Sequence, residues 1–320
     1  MQKVTLNKNE NLEILFKKYI SNRSTSGRLR EETLRGYKEA FKVFTQLMPQ
    51  VRVIDDLTED NLNIFFERLN TRKRTISNGE VRTGVKDSTI KTYWSKLNSF
   101  FYWLEERELI LHSPLKYIKP PKVRYEDARE LTKGEFNKIV SSICIYSNNS
   151  LMKKRDLAIM YVLFFCGVRK GELLGLQISD IDFDKRILTI RAETSKSRAT
   201  RKMPMHSVLI EQLKDYLDGR KKQNYKTEKL FVSNNEDKGL TEHGLKHLIK
   251  KLSENSGVRF HLHKLRHSFA CNLARAGIKA YNLQKLMGHT DMRMTERYLR
   301  SMNVEDYRSD IEKLSIENMA

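Results

Sequence analysis

Five residues in the second half of this 320-residue chain could together perform nucleophilic chemistry on an anion. Arg169 follows a glycine at the end of an apolar run, where a turn can present its guanidinium to an oxyanion. His263 and Arg266 are three residues apart, so on one helix they would face the same anion or proton. His289 and then Tyr298 follow along the chain. Because tyrosine has a pKa of about 10, covalent chemistry by Tyr298 would need cations around the group it attacks.

Each of these residues also has a structural interpretation. Arg169 could simply pair with Glu172 of the same segment, and a single histidine, such as His267, is more often a hydrogen-bonded structural group. A tyrosine in a surface helix, as Tyr298 would be, usually packs on the apolar side of that helix. The order of the whole set favours chemistry, because an arginine, a lysine, a histidine, a second arginine, a second histidine and a tyrosine succeed one another.

The ordered set resembles the tyrosine recombinases, also called the phage integrase family, and within it the two-domain Xer-type and transposon or prophage integrases. The family's first motif corresponds to GVRKGEL at residues 167–173, and its His-x-Leu-Arg-His motif to HKLRH at residues 263–267. Its Leu-Gly-His motif stands as MGH at residues 287–289, and Tyr298 follows at the family's usual distance. Cys166 replaces the threonine often found before the first glycine.

The resemblance implies a reaction that needs neither a metal nor another cofactor. Tyr298 would attack a scissile phosphodiester, leaving a 3′-phosphotyrosyl link and a free 5′-hydroxyl. Arg169 and Arg266 would hold the non-bridging oxygens, and His289 would donate a further hydrogen bond to them. His263 would help to take the proton of the tyrosine.

The resemblance also implies a general acid on a β-hairpin. Lys196, in the segment TSKS, is the residue that corresponds to it, with Arg201 and Lys202 nearby as alternatives. The acid would protonate the departing 5′ oxygen. Glu172 is expected to orient the basic groups rather than to react.

The partners that the resemblance implies are double-stranded recombination sites and other copies of the chain. Four protomers would act on two duplexes and exchange strands through a Holliday junction, and off DNA the chain would be a monomer or weak dimer. An accessory or directionality protein stays an open option, as do integration, excision, inversion and dimer resolution. The tail over residues 303–320, which we predict to be a helix, could dock on a neighbouring subunit or on its own domain.

The elements that must position these residues are predicted to form two domains. Apolar residues recur at helical spacing in four stripes of the first domain, residues 1–116, and a polar connection at residues 71–86 separates the last two. Residues 117–130 contain two adjacent prolines and are predicted to be a linker. The catalytic domain, residues 131–320, opens with a helix capped at Thr132 and contains a β-hairpin formed by runs at 187–191 and 201–205. The expected fold class is mainly α with a small antiparallel β-sheet, in which a helical, SAM-like core-DNA-binding domain precedes an α+β catalytic domain.

The charge of the chain favours a polyanionic partner. Sixty Lys and Arg residues against 40 Asp and Glu residues leave a formal net charge of +20, which is typical of proteins that bind nucleic acid. Basic and hydroxyl side chains lie beside two apolar stripes of the first domain and are candidates for phosphate contact: Arg35, Lys38, Lys42, Lys91, Thr92, Ser95 and Lys96. The alternative for these faces is an ordinary solvated surface.

Other classes of protein fit the sequence less well. The longest apolar run, residues 158–168, is far shorter than the roughly 20 residues of a membrane-spanning helix, and the polar start resembles no export signal. We therefore expect a cytoplasmic protein. The three cysteines are far apart and without metal-ligand spacing, which predicts reduced structural thiols and no metal site. A type IB topoisomerase-like enzyme and a non-catalytic DNA-binding regulator are the two rival functions.

Overall fold

Helices dominate the computed structural model of the chain, with two small antiparallel sheets between them. The structure describes residues 9–25, 29, 31–75, 79–123, 129–195, 197–234 and 236–300, apart from the side chains of residues 297, 299 and 300. This composition confirms the predicted fold class. The chain divides into two units, residues 1–125 and 126–320. The division falls within residues 117–130, the range predicted as linker.

The first unit is built on helices that match the four predicted apolar stripes. They are α1 (Leu12–Thr25), α2 (Glu31–Leu47), α3 (Glu59–Thr71) and α4 (Asp87–Glu105). The side chain of Thr58 accepts a hydrogen bond from the Asn61 amide and so caps α3, as its sequence indicates. An aromatic cluster fills the core, with the rings of Phe16 and Phe41 stacked at 3.9 Å.

A short hairpin occupies part of the connection that the sequence predicts to be an irregular polar loop. Strands β1 (Lys73–Thr75) and β2 (Val81–Thr83) pair in antiparallel register, with Arg74 opposite Arg82. All six strand residues are exposed. The prediction missed these strands because a hairpin that is exposed on both faces carries no apolar alternation.

The second unit contains the apolar helix α6 (Ser150–Cys166), most of whose buried residues belong to the core, and further helices. They are α5 (Lys133–Tyr146), α7 (Lys170–Gly175), α8 (Ser207–Lys222), α9 (Glu242–Ser256), α10 (Leu262–Arg275), α11 (Ala280–Met287) and α12 (Arg293–Arg300). The predicted box at the start of α5 is present, because Thr132 accepts from the Glu135 amide and Glu135 accepts from the Thr132 amide.

The sheet of the second unit contains the predicted hairpin. Strand β4 (Ile187–Ile190) pairs antiparallel with β5 (Arg201–Pro204), so that Ile190 lies opposite Arg201. A two-residue strand, β3 (Ile181–Asp182), extends the sheet on the other side of β4. The loop between β4 and β5 therefore begins and ends at one place in the sheet, at the Ile190–Arg201 pair.

The remaining sequence expectations concern membranes and cysteines. In the part of the chain that the structure covers, no helix combines the length and apolar character that a membrane span requires. Cys166 and Cys271 are buried, whereas Cys144 is exposed on α5. Burial raises the pKa of the Cys166 thiol to about 12, so this thiol stays protonated and serves as packing.

Candidate active site

Five of the predicted catalytic side chains line one cavity of the second unit, with a volume of about 520 Å³. They come from the start of α7, the first turn of α10, the turn after α11, and α12. The described residues that line it are Arg169, Ser197, His263, Arg266, Gly288, His289, Thr290, Met294 and Tyr298. The structure thus brings together residues that are 129 positions apart in the chain.

Arg169 is positioned by the end of α6 and the start of α7. Gly167 ends α6 in the left-handed conformation, with φ of 53°, and Arg169 is the N-cap residue of α7. Its Nη1 donates to Glu172 Oε1 at 3.0 Å, and its Nη2 donates to the Gly288 carbonyl at 3.2 Å. Arg169 therefore pairs with Glu172, as its structural interpretation requires, and also lines the cavity, whereas its binding of an oxyanion stays a prediction.

Arg266 is held by two backbone carbonyls. Its Nη1 donates to the Gly167 carbonyl at 2.6 Å, and its Nη2 donates to the Met287 carbonyl. Burial lowers the pKa of Arg266 to about 10, with a further contribution from the charge of Arg169. The guanidinium is still protonated near neutral pH, so it presents a fixed positive charge to the cavity.

His289 is neutral at physiological pH. Burial lowers its pKa to about 4, helped by the charges of Arg266 and Arg169. Its Nε2 lies 3.3 Å from Arg266 Nη2, and its Nδ1 lies 3.0 Å from the hydroxyl of Thr295. A neutral imidazole fixed by a hydroxyl can donate a hydrogen bond without adding a further charge to the site.

Glu172 is the anion at the centre of the cationic groups, and its side chain is fully buried. Its carboxylate accepts bonds from the backbone amide and Nη1 of Arg169, from Nη1 and Nη2 of Arg201, and from the Ser195 hydroxyl. Burial by itself raises the pKa of Glu172, but the bonds and charges of Arg201 and Arg169 outweigh it and lower the pKa to about 2. The prediction that Glu172 orients basic groups agrees with these contacts.

Tyr298 and two histidine rings pack together at the other side of the cavity. Tyr298 is 6% exposed, and its ring centroid lies 5.3 Å from that of His267 and 5.9 Å from that of His289. His267 is buried within α10, and its Nε2 lies 3.6 Å from Cys271 Sγ, which fits the structural role considered for it. His263 is exposed and lines the cavity from the first turn of α10.

Two sequence predictions lie outside the described residues. Lys196, the candidate general acid, is one, and the tail over residues 303–320 is the other. The residues that flank Lys196 are described. Ser197 lines the cavity, and the Ser195 hydroxyl lies 2.9 Å from that of Ser197. Of the two alternatives to Lys196, Arg201 is bound to Glu172 and Lys202 is exposed.

The candidate DNA-contact residues of the first unit lie on α2 and α4, mostly at the surface. Arg35, Lys38, Lys42, Lys91, Thr92 and Ser95 are exposed, and Lys96 is half-buried. The Lys96 ammonium lies against α2, 2.7 Å from the place that a Cβ on Gly36 would occupy. The basic faces of the two helices therefore meet at Lys96 and form one surface.

Sequence reasoning missed two residues that position the site. Arg201 was considered only as an alternative to the hairpin lysine, and its bidentate pair with Glu172 depends on tertiary packing. Thr295 was not considered, although it lies one helical turn before Tyr298 and contacts His289. The spacing of Thr295 from the tyrosine is the signal that could have identified it.

The electrostatics suit a reaction in which negative charge develops. Three guanidiniums, those of Arg169, Arg201 and Arg266, surround one carboxylate, that of Glu172, and His289 is neutral. The excess of positive charge is fixed in place by hydrogen bonds before any substrate arrives. Such preorganised donors stabilise a phosphate whose charge increases in the transition state.

Comparison with known proteins gives consistent similarities. A model of the phage integrase family matches residues 129–304. A tyrosine recombinase of Thermosipho africanus (strain TCF52B) is 29% identical over 281 residues, which cover 87% of this chain and 91% of that protein. Tyrosine recombinase XerA of Thermococcus onnurineus (strain NA1) is 32% identical over 234 residues, covering 72% and 77% of the two chains.

Solved structures have the same fold at low sequence identity. The Tn1549 transposon integrase in complex with transposon right end DNA superposes with a TM-score of 0.73 at 20% identity, covering 95% of this chain and 99% of that one. The XerH site-specific recombinase bound to palindromic difH substrate gives a TM-score of 0.69 at 20% identity, covering 87% and 79%.

Proposed function

The chain belongs to the phage integrase family, and we propose that it cuts and rejoins DNA through a covalent bond between Tyr298 and a 3′-phosphate. It is a tyrosine recombinase, an enzyme of site-specific DNA recombination. The observation that carries the proposal is the single cavity lined by Arg169, His263, Arg266 and His289 together with Tyr298. A tyrosine among fixed cations is the arrangement that phosphotyrosyl chemistry requires.

In the proposed first step, the Tyr298 phenol oxygen forms a bond to the scissile phosphorus and the bond from phosphorus to the 5′ oxygen breaks. The phenol proton passes to His263, which is exposed in the cavity and therefore able to exchange protons with water. The departing 5′ oxygen takes a proton from Lys196. Rejoining is the reverse, with a 5′-hydroxyl of the same or another strand as the attacking group.

During this step, Arg169 and Arg266 would bind the non-bridging oxygens, and neutral His289 would donate a third hydrogen bond. Their bonds to Glu172 and to backbone carbonyls hold them in place without substrate. Loss of one such donor is expected to reduce the rate by about 10² to 10³.

The assignment of Lys196 as general acid rests on its neighbours in the chain. Ser195 contacts Glu172, and Ser197 lines the cavity. Both chain neighbours of Lys196 therefore contact the site or line it. This supports Lys196 over Lys202, which is exposed on β5.

The surface formed by α2 and α4 is proposed to bind the DNA backbone. The exposed lysines and hydroxyls of this surface are suited to phosphate oxygens. Two relatives by structure are recombinases in complex with DNA, which supports a duplex recombination site as the partner.

We further propose that four protomers act on two duplexes and exchange strands through a Holliday junction in the cytoplasm. The relatives include both Xer recombinases and a transposon integrase. Dimer resolution and the integration or excision of a mobile element are therefore both proposed roles. The tail over residues 303–320 is proposed to dock on a neighbouring subunit, with packing on its own domain as the alternative.

The test is a covalent trapping experiment on nicked duplexes taken from DNA flanking the gene and from the host's dimer-resolution site. The wild type should form an adduct that resists SDS, and Tyr298→Phe should bind the same duplex and form none. Tyr281→Phe is a matched control, since Tyr281 is an exposed tyrosine of α11 outside the cavity, and it should behave as the wild type.

The products distinguish the rival functions. Recombinant products from two sites support the recombinase, whereas relaxation of a supercoiled plasmid without such products indicates a topoisomerase-like enzyme. Tight binding without an adduct on any duplex would make the proposal wrong and favour a non-catalytic regulator.

A further inference from the structure

All three guanidinium nitrogens of Arg201 donate hydrogen bonds to residues beside the candidate active site, which is unusual for a surface cation. Its side chain is 8% exposed and forms a bidentate pair with Glu172, with distances of 2.9 Å from Nη1 to Oε1 and 2.7 Å from Nη2 to Oε2. Its Nε donates to the Leu286 carbonyl in the last turn of α11, at 2.9 Å. Arg201 does not belong to the described lining of the cavity, so it acts through the residues it binds.

The contacts of Arg201 join three segments that each carry a proposed catalytic residue. Through Glu172 it reaches the segment of Arg169. Through Leu286 it reaches the turn that precedes His289, where its guanidinium also packs on Gly288, 3.1 Å from the place of a Cβ there. By its position as the first residue of β5, it ends the loop that contains Lys196.

The β4 end of the loop between β4 and β5 is fixed to α7, because Arg191 Nη2 donates to the Gly175 carbonyl at 2.7 Å and Thr194 packs on Gly175. The Ser195 hydroxyl contacts Glu172 at 3.3 Å, a longer and weaker bond than the pair made by Arg201. Within the loop, the Thr200 hydroxyl accepts from the Ala192 amide, which closes the loop but does not fix it to α7 or α11. At the β5 end of the loop, the strong link to the site is the guanidinium of Arg201.

We propose that Arg201 is a positioning residue that holds the β4–β5 loop, and the general acid in it, in register with Arg169 and His289. The inference rests on the proposed function, because it takes Lys196 as the general acid. Without Arg201, Arg169 keeps its own bonds to Glu172 and Gly288. The element released is the β5 end of the loop, whose β4 end stays bound to α7 through Arg191. We therefore expect the slowed step to be protonation of the departing 5′ oxygen.

This proposal can be tested with a leaving group that needs no proton. The duplex that traps the wild type is made in two forms, with oxygen or with sulfur bridging the scissile phosphorus and the 5′ carbon. A thiol has a pKa of about 8.5, far below that of a hydroxyl near 16, so a thiolate leaves without a general acid. Single-turnover adduct formation is measured with both duplexes.

With the oxygen duplex, we expect Arg201→Gln to slow adduct formation by about 10²-fold, the scale of general acid catalysis. With the sulfur duplex, most of this loss should disappear. Arg201→Lys, which keeps the charge but not the planar fork, should be intermediate. Lys196→Ala should show the same recovery with sulfur, whereas Arg169→Lys should be slow with both duplexes.

Arg186→Gln is the matched control, because Arg186 is an exposed arginine in the turn before β4, outside the described lining of the cavity. It should match the wild type with both duplexes. DNA binding and thermal unfolding of each variant show whether it is folded, and Arg201→Lys keeps the test possible if Arg201→Gln does not fold.

Three results would overturn the role of Arg201. If Arg201→Gln reacts as fast as the wild type, or is equally slow with oxygen and sulfur, Arg201 does not position the general acid, while the proposed function still stands. If the wild type forms no adduct on any duplex, the proposed function fails and the role of Arg201 fails with it.

Discussion

At the scale of single residues, the site is a balance of fixed charges. The buried carboxylate of Glu172 compensates part of the charge of Arg169 and Arg201, and Arg266 relies on backbone carbonyls instead. This arrangement leaves net positive charge facing the cavity. Burial and the arginine charges lower the pKa of His289, so its ring is a neutral hydrogen-bond donor. In the proposed reaction, the arginines would stabilise the developing dianion, and the uncharged ring of His289 would donate a directional hydrogen bond.

The neutrality of His289 can be measured as a pH dependence. Because burial and neighbouring arginines lower its pKa from 6.5 to about 4, its ring should not titrate between pH 5 and 8. The unfolded chain binds the proton more readily in the window from about 6.5 down to 4, so His289 makes the fold less stable as pH falls through that window. Histidine-labelled NMR, with His289→Gln to assign the signal, checks this. A midpoint near 6.5 would contradict the structure.

Thr295 is expected to fix the tautomer of His289. Its hydroxyl, fully buried, lies 3.0 Å from Nδ1, so the direction of this hydrogen bond sets which ring nitrogen of His289 carries the proton. Loss of one such bond is worth about 1 kcal/mol, so Thr295→Val should slow adduct formation by about five- to tenfold with DNA binding unchanged. Thr295→Ser, which keeps the hydroxyl, should retain the wild-type rate. Equal rates of adduct formation for Thr295→Val and Thr295→Ser would refute this role.

At the scale of elements, the ends of two helices bind the two arginines that are proposed to be catalytic. Helices α6 and α11 both end in a left-handed glycine, Gly167 and Gly288. The carbonyls of Gly167, Met287 and Gly288 accept bonds from Arg266 and Arg169. A cation at a helix C-terminus also interacts favourably with the helix dipole. Helix termination and arginine positioning are therefore one structural feature.

The importance of Gly167 can be tested against a matched glycine. A Cβ at Gly167 would lie 2.3 Å from Phe269 Cδ1, in addition to the strain of φ at 53°. Gly257 ends α9 with φ of 66° and has no atom within 4 Å of its Cβ position. We expect Gly257→Ala to cost about 1 kcal/mol of unfolding free energy, and Gly167→Ala to cost about 1 to 3 kcal/mol more.

Denaturant unfolding of the two variants measures these costs. Gly167→Ala should also lose adduct formation, since a shift of Gly167 displaces the carbonyl that holds Arg266. Gly257→Ala should keep it. Equal stability and equal activity of the two variants would show that the α6 end does not position the arginine.

At the scale of the whole molecule, charge is distributed between two tasks. The formal charge of +20 favours attraction to any DNA, whereas the cavity of the second unit is proposed to act on one phosphate. The first unit contributes the surface of α2 and α4, whose basic side chains are mostly exposed. Phosphate contacts of this kind release counterions, so affinity should fall steeply with salt.

The contribution of the α2 and α4 surface can be read from salt dependence. If Lys91 contacts a phosphate, Lys91→Ala should weaken binding and reduce the slope of log affinity against log salt by about 0.9. Lys17→Ala, at an exposed lysine of α1 outside this surface, should leave the slope unchanged. Fluorescence anisotropy on one duplex over a salt series measures both. Equal slopes for the two variants would remove Lys91 from the proposed surface.

Several elements of the fold could be predicted from the sequence alone. Helical spacing predicted α1 to α4, the Thr132 box predicted the start of α5, and β-rich runs predicted the pairing of β4 with β5. These features depend on local periodicity and capping, which neighbouring residues specify. The ordered motifs likewise identified the residues that meet in the cavity. The exposed strands β1 and β2 escaped prediction because no apolar alternation marks them.

The tertiary structure decided which of those residues contact one another and how burial changes their pKa values. The contact between Arg169 and the Gly288 carbonyl spans 119 positions, and that between Arg201 and the Leu286 carbonyl spans 85. The pKa of His289, lowered by burial and by arginines from other elements, follows from the same packing. Burial and long-range charge depend on the distances that folding creates, which local sequence does not specify. The sequence therefore identified the residues with reactive side chains. Only the packing of α6, α10 and α11 with β5 determined their protonation states and their hydrogen-bond partners.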